Sequence, residues 1–210
     1  MSVENNVLNQ LEFQFKKLQN LHYDGTDSIV SLQSATDLQQ VPNDSVDYVF
    51  IDPPFGANIM YSELNELSES WLKVFTNNRS EAIMNNTQNK GLVEYQSLMI
   101  TAFTELYRTL KPNRWITIEF HNSKNSVWNA IQEAINRAGF VIADVRTLNK
   151  EKKTINQFNA KGAVDQDLVI SAYKPRNTLL RSITSNAGNE STAWAFVYQH
   201  LENIPVVVIK

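Results

Sequence analysis

The most constraining feature of this chain is the stretch Val46–Phe55, which reads Val-Asp-Tyr-Val-Phe-Ile-Asp-Pro-Pro-Phe. A run rich in β-branched and aromatic residues predicts a strand. The two prolines must end that strand, because proline has a fixed φ and no N–H to donate to a sheet. The chain therefore needs a sheet whose edge carries a rigid loop, with the carboxylate of Asp52 and the ring of Phe55 on it.

The loop offers hydrogen-bond acceptors beside an aromatic face. Asp52 contributes a carboxylate, and Pro53 contributes a backbone carbonyl that an ordinary turn does not absorb. Such a site suits a planar group that carries an NH2: the amine donates its two hydrogens to Asp52 and the Pro53 carbonyl, and the ring system stacks on Phe55. The nitrogen lone pair then faces outward toward an electrophile. A nucleobase amine has this chemistry.

The sequence Asp-Pro-Pro-Phe after an apolar strand resembles the catalytic motif of the amino-methyltransferases. These S-adenosylmethionine enzymes methylate the exocyclic nitrogen of adenine or cytosine in DNA. Further segments follow in the order and spacing of the catalytic half of large bacterial DNA methylases: Asp52–Asn65, Trp71–Leu72, Leu110–Trp115 and Glu119–Ser123. The similarity extends from about Ser34 to Pro175.

The resemblance implies an α/β fold with a Rossmann-like methyltransferase sheet, mostly parallel and with an antiparallel C-terminal hairpin. Periodicity predicts further strands at Ser28–Gln33, Trp115–Phe120, Phe140–Leu148 and Asp167–Tyr173. It predicts helices at Val7–His22, Ser62–Phe75, Tyr95–Leu110, Ser126–Ala138 and Glu190–Leu201. We expect an N-terminal helix in residues 1–27, a partial catalytic domain in residues 28–175 and a C-terminal extension in residues 176–210.

Two segments near the loop carry more specific expectations. Ser62 is the predicted N-cap of its helix, and the core is expected to bury an apolar stripe on that helix: Leu64, Leu67, Trp71, Leu72 and Phe75. Asn78–Gly91 is polar and lacks periodicity, which favours a mobile loop over the site that orders when DNA binds. The last helix is expected to carry one apolar face, formed by Trp194, Val197, Tyr198 and Leu201.

The resemblance also assigns roles to residues of this chain. Those implied as catalytic are Asp52, Pro53, Pro54 and Phe55. Those implied to contact S-adenosylmethionine are Ser34, Ala35, Asp52 and Asn65, although the family usually has Asp where this chain has Ser34. Those implied to bind the substrate are Phe55, Tyr61, His121 and Asn122. A structural role for His121, at a strand end, is the alternative.

The half of the site that would cradle the cofactor is missing from this sequence. Methyltransferases of this kind need a glycine-rich turn after their first strand, and no two of the six glycines here lie within two residues of each other. We therefore expect an incomplete fold, as a fragment or as one subunit of a split enzyme. The partners expected are DNA and the missing glycine-rich half, on the same longer polypeptide or on a second subunit. The apolar end, Val206–Ile209, predicts a cut or an edge that needs a partner.

Composition narrows the remaining classes of function. A net charge of −3 argues against a strong DNA clamp, so any grip on the duplex must be local or come from elsewhere. With no cysteine and three well-separated histidines, no metal is expected. No apolar run or leader pattern predicts a membrane segment, so a cytoplasmic location is expected.

Two alternatives to DNA methylation are compatible with the same residues. One is methylation of an RNA base or of a protein glutamine, although the glutamine enzymes normally begin this motif with Asn instead of Asp. The other is a catalytically silent module that kept the half-fold and lost the cofactor; the absent glycine turn and Ser34 favour it, whereas the intact Asp52–Phe55 motif opposes it.

Overall fold

The computed structural model describes residues 12–13, 15–16, 29, 31, 33–57, 59–121, 124–148, 167–176 and 190–204. The chain divides into two units, Met1–Leu32 and Gln33–Lys210. In the first unit, the described residues 12–13 and 15–16 are helical, and they lie within the predicted helix Val7–His22. The described residues of the predicted strand Ser28–Gln33, which are 29, 31 and 33, are not in a strand.

In the second unit, the described residues form a four-stranded mixed sheet. Its strands are β1 (Val46–Ile51), β2 (Leu110–Phe120), β3 (Val141–Leu148) and β4 (Asp167–Tyr173), in the order β1-β2-β4-β3. The pair β1 and β2 is parallel, whereas β4 runs antiparallel to both β2 and β3. Three strands therefore share one direction and β4 opposes them. The antiparallel pairing of β3 with β4 is confirmed, but the sheet as a whole is mixed, because only β1 and β2 pair in parallel.

The described residues of this unit form four helices beside the strands: α1 (Tyr61–Leu72), α2 (Leu92–Thr109), α3 (Asn125–Arg137) and α4 (Glu190–Asn203). Each predicted helix of this unit exists, with bounds that differ by at most three residues. Pro112 lies inside β2, three residues after the end of α2. Val46 and Tyr48 on β1 are two residues apart, but their partners on β2, Leu110 and Trp115, are five residues apart. Pro112 therefore lies in an irregular stretch of β2, where the sheet needs no N–H from it.

The core lies between one face of the sheet and the helices α2 and α3. Alternation along β2 directs Ile116, Ile118 and Phe120 to this face, where each is almost fully buried. The helices meet it with side chains at helical spacing: Tyr95, Met99 and Phe103 from α2, and Val127, Ile131, Ala134 and Ile135 from α3. These crossover elements hold the ends of β1 and β2 side by side.

The predicted packing of α1 into the core is wrong. None of its residues is buried, and its apolar stripe remains 69 to 84% exposed at Leu64, Leu67, Trp71 and Leu72. The face predicted on α4 is also largely exposed, at Trp194, Val197, Tyr198 and Leu201. Periodicity shows that a helix has an apolar face but not what covers it, and within the described residues nothing covers these two.

Across the described parts of the chain, no helix is long and apolar enough to cross a membrane.

Candidate active site

The loop Asp52–Phe55 emerges where two parallel strands end together. Ile51, the last residue of β1, pairs with Ile118, and β2 continues only to Phe120. Because the strands are parallel, Asp52 and His121 both follow carboxyl ends at the same edge of the sheet. Ligands of open α/β sheets bind at this edge.

Tyr95 anchors the loop to the core. Its hydroxyl donates a hydrogen bond of 2.6 Å to the carbonyl oxygen of Pro54, across 41 positions of sequence. Tyr95 is fully buried, and that burial raises the pKa of its phenol above the ordinary value, so the hydroxyl remains a donor well into the alkaline range. Pro53 and Gly56 are buried as well, while Asp52 is exposed at the surface. The loop is therefore held rigidly on its buried side, whereas Asp52 lies at the surface.

Phe55 lies half-buried between two other rings. Its ring centroid is 5.6 Å from that of Phe120 at an interplanar angle of 83°, and 6.0 Å from that of His121 at 67°. Both contacts are edge-to-face, an arrangement that aromatic pairs favour. The predicted site residues Phe55 and His121 are thus brought together, and Phe120 fixes the orientation of the ring between them.

His121 has a partner that the sequence analysis did not identify. Its Nδ1 lies 2.6 Å from Oδ1 of Asp167, although the two groups lack the alignment of a hydrogen bond. Asp167 is the first residue of β4, and its side chain is 5% exposed. A carboxylate at the start of an apolar strand was a detectable signal. It became meaningful only once the antiparallel pairing of β2 with β4 was known.

The segment Asn78–Gly91, expected to be a mobile loop, is instead braced by hydrogen bonds. Two 3-10 turns, Asn78–Ser80 and Asn86–Gln88, fold it, and the ammonium of Lys90 donates to the carbonyls of Asn78 and Glu81 at 2.6 and 2.7 Å. Ile83 within it is fully buried. Asparagine-rich sequences form such turns through side-chain bonds to nearby N–H groups, which the absence of periodicity does not reveal.

The segment Asn78–Gly91, which we call the brace, connects the Asp52–Phe55 loop to α1. Met84 N–H donates to the Gly56 carbonyl at 3.1 Å, and the carboxylate of Glu81 accepts from both the N–H and the hydroxyl of Ser62, at 3.0 and 2.6 Å. Ser62 was predicted to be the N-cap of α1, but that position is held by Met60, which forms no side-chain cap. The hydroxyl of Ser62 therefore anchors the brace.

Ser34 and Ala35 lie away from this site. Ser34 forms a turn with Asp37, and the next residue, Leu38, is bound by Glu105 and Arg108 in the last turns of α2. The end of α2 leads directly into the start of β2, which is the opposite edge of the sheet from Asp52. The structure therefore does not bring these two predicted cofactor contacts to the Asp52 loop.

The other residues predicted to contact the cofactor or the substrate are Tyr61, Asn65 and Asn122. Tyr61 is the first residue of α1 and is 42% exposed, and Asn65 is exposed one turn later. Both lie on the helix that follows the loop. Asn122, expected to bind the substrate, lies outside the described residues. Among the residues that are described, no group of three or more His, Cys, Asp or Glu side chains could hold a metal ion.

Comparison with known proteins decides the family. The model of the DNA methylase family, which comprises N6 and N4 methyltransferases, matches residues 46–205. The chain belongs to this DNA methylase family. The matched range begins at β1 and includes the loop, the brace and Asp167. A search of curated proteins with this chain found no match.

Solved structures similar to this DNA methylase family member include two proteins named as DNA methylases or DNA methyltransferases and one named as a methyltransferase. A protein of Thermus thermophilus named as a DNA modification methylase, in complex with S-adenosyl-L-methionine, is 13% identical over 69% of this chain and 54% of its own, with a TM-score of 0.40. PvuII DNA methyltransferase, specific for cytosine N4, is 11% identical over 80% of this chain and 61% of its own, with a TM-score of 0.45. A methyltransferase in complex with the Trm112 activator of Haloferax volcanii is 14% identical over 73% of this chain and 65% of its own, with a TM-score of 0.41. The chain spans about half the length of the first structures that it matches.

Proposed function

We propose that this chain transfers a methyl group from S-adenosylmethionine to the exocyclic amine of adenine, or of cytosine, in DNA, as the catalytic part of a larger or split enzyme. The observation that carries the proposal is the Asp52–Phe55 loop, which Tyr95 fixes at the shared end of β1 and β2. It lies within the match to the DNA methylase family. Adenine N6 is the favoured acceptor.

The chemistry follows from the residues on the loop. The amine donates its hydrogens to the Asp52 carboxylate and the Pro53 carbonyl, which leaves the lone pair directed away from both. The base stacks against Phe55, beside Tyr61 at the start of α1. Pro54 keeps the loop rigid, because Tyr95 holds its carbonyl. Since a base within a duplex cannot reach such a loop, it must be flipped out of the helix.

The loop fits the reacting end of the cofactor but not its nucleoside. S-adenosylmethionine supplies an electrophilic methyl group on a sulfonium, and Asp52 and Asn65 are the residues we assign to that end. The nucleoside end needs closely spaced glycines, which this sequence lacks, and Ser34 and Ala35 lie at the other edge of the sheet. We infer that another segment, on the same polypeptide or on a second subunit, completes the pocket.

The exposed stripe of α1 supports this inference. Its large apolar side chains lie on the helix that follows the loop, and Trp71 alone is 84% exposed. On β1, Tyr48 and Phe50 are 54 and 59% exposed on the sheet face that α2 and α3 do not cover. Exposed apolar surface of this extent is typical of an interface. A segment that packs on α1 and β1 would lie next to Asp52.

The experiment is methyl transfer from radiolabelled S-adenosylmethionine to duplex DNA, with the chain alone and with a glycine-rich methyltransferase half supplied in trans. In the active assembly, Asp52→Ala is expected to lower kcat by about 100-fold or more, because one preorganised acceptor is lost. Asp52→Asn keeps an acceptor oxygen and retains more activity. Asp47→Ala is the matched control, since Asp47 is an exposed aspartate at the opposite end of β1.

The outcomes separate the hypotheses. Equal activity of wild type and Asp52→Ala contradicts the proposal and favours a catalytically silent module. Transfer to single-stranded RNA but not to duplex DNA identifies an RNA base methyltransferase. Loss of activity in Asp47→Ala as well as in Asp52→Ala indicates a structural effect on β1 instead of a role for Asp52.

A further inference from the structure

The register between β2 and β4 places a histidine opposite an aspartate at the edge of the candidate site. The last antiparallel pair at this end is Phe120 with Leu168. One residue further, His121 faces Asp167, and their side chains meet at 2.6 Å between Nδ1 and Oδ1. The pairing is therefore dictated by the sheet, and not by a flexible surface contact.

Burial of the two partners is unequal. The Asp167 side chain is 5% exposed and the His121 side chain is 29% exposed. The carboxylate is held inside, where it acts strongly on the nearest ring nitrogen, while the ring reaches the surface beside Phe55, 6.0 Å from its centroid. With a carboxylate oxygen 2.6 Å from Nδ1, a proton on Nδ1 avoids two lone pairs facing each other, and this tautomer leaves Nε2 as an acceptor.

We propose that His121 accepts the proton that the methylated amine must lose, and that Asp167 is the positioning residue that keeps Nε2 unprotonated and stabilises the imidazolium that results. The inference rests on the proposed methyl transfer. The amine nitrogen forms a bond to the methyl carbon as the carbon–sulfur bond of the sulfonium breaks, and the sulfur keeps that electron pair. In the same step, one N–H proton leaves its hydrogen bond to the loop and passes from the amine to Nε2 of His121, and from there to water.

The positioning half of the proposal is tested without catalysis. In the 24.0 kDa chain labelled with 15N-histidine, ring nitrogen shifts report which nitrogen of each histidine carries the proton. In wild type, the neutral form of the His121 ring is expected to carry its proton on Nδ1, and in Asp167→Asn the neutral form is expected to be a mixture or the other tautomer. His200, whose Nδ1 lies 3.1 Å from the Tyr173 hydroxyl, is the internal control and keeps its shifts in Asp167→Asn. A wild-type His121 protonated on Nε2 overturns the proposal.

The proton-transfer half is tested in the DNA methylation assay with the active assembly. His121→Ala is expected to lower kcat by about 100-fold with KM changed less than about threefold, because a general base acts on the chemical step. Added imidazole should restore part of the kcat of His121→Ala and none of that of Asp52→Ala. Asp167→Asn should lower kcat by about tenfold, and Asp167→Glu should retain more activity than Asp167→Asn.

His200→Ala is the matched control, a histidine on α4 that should leave kcat and KM unchanged. If His121→Ala raises KM alone, or if imidazole restores no activity, His121 binds the substrate or supports the loop and the proposal is wrong. Failure of the proposed function appears differently: wild type then transfers no methyl group to any nucleic acid, whatever tautomer His121 adopts.

Discussion

Replacing Tyr95 with Phe tests whether the catalytic loop is held from within the core. The substitution removes only the hydroxyl that donates to the Pro54 carbonyl at 2.6 Å, and it keeps the buried ring in its place against the sheet. We expect two separable effects, a loss of global stability and a larger loss of methyl transfer. The second follows because the loop becomes free to shift while the fold persists.

The magnitude of the stability effect follows from the burial of the bond. A hydrogen bond contributes about 0.5–1.5 kcal/mol net, and an acceptor left without a partner costs about 1–3 kcal/mol. Pro54 is only partly buried, so water can reach its carbonyl and the lower part of the range applies. We expect a loss of about 1–2 kcal/mol in the free energy of unfolding, which corresponds to a fall in Tm of about 2–8 °C for a domain of this size.

Urea denaturation followed by tryptophan fluorescence measures the first effect, and single-turnover methyl transfer measures the second. The urea midpoint should fall with an unchanged m-value, and the transfer rate should fall by about tenfold or more, because a displacement near 1 Å at a reacting group can cost about 100-fold. The control is Tyr198→Phe, which removes the hydroxyl of an exposed tyrosine on α4. Wild-type stability and wild-type activity in Tyr95→Phe would refute the reasoning.

Further predictions concern stability and cofactor binding. Gly139→Ala should cost about 1–2 kcal/mol, because Gly139 has a φ of 101° and a Cβ there would lie 3.1 Å from the Tyr107 ring; thermal unfolding measures it. Lys174→Met should cost about 3 kcal/mol in urea denaturation, because the buried ammonium donates to two carbonyls and one carboxylate. Burial raises the pKa of Tyr95, Tyr107 and Tyr173 above 10.0, so the folded state keeps protons that the unfolded chain releases. Stability should therefore hold below pH 10 and decline above it, as denaturation midpoints against pH would show. Calorimetry of S-adenosylmethionine into the chain alone should give no heat; micromolar binding, about −8 kcal/mol, would contradict the need for a second segment.

Local patterns predicted the elements of the catalytic half well. Tyr95–Leu110 has apolar residues at helical spacing, and α2 contains all of this range except Leu110, because one face of it packs in the core. The strand Asp167–Tyr173 was predicted at the bounds that the structure shows. The sequence also predicted that the two prolines would end β1, and β1 ends at Ile51, two residues before Pro53.

Three expectations depended on information that no local pattern contains. The stripe on α1 was expected to be buried, yet an apolar face is the same in sequence whether the core or another segment covers it. Asn78–Gly91 was expected to be mobile, but its order comes from Lys90 and Glu81, whose bonds cross the segment. Ser34 was expected near the cofactor, and its position is set instead by the hydrogen bonds of Leu38 to the end of α2.

The sequence by itself determined the chemistry of the loop. Asp52, two prolines and Phe55 are contiguous, so a rigid acceptor beside a ring follows from covalent connectivity and from the fixed φ of proline. Only the tertiary structure decided what surrounds that loop. Tyr95 reaches Pro54 because α2 packs on the sheet, and Asp167 reaches His121 because an antiparallel strand enters beside β2. These two contacts join residues that are 41 and 46 positions apart in the chain. They depend on strand register and helix packing, which arise only when the whole sheet forms.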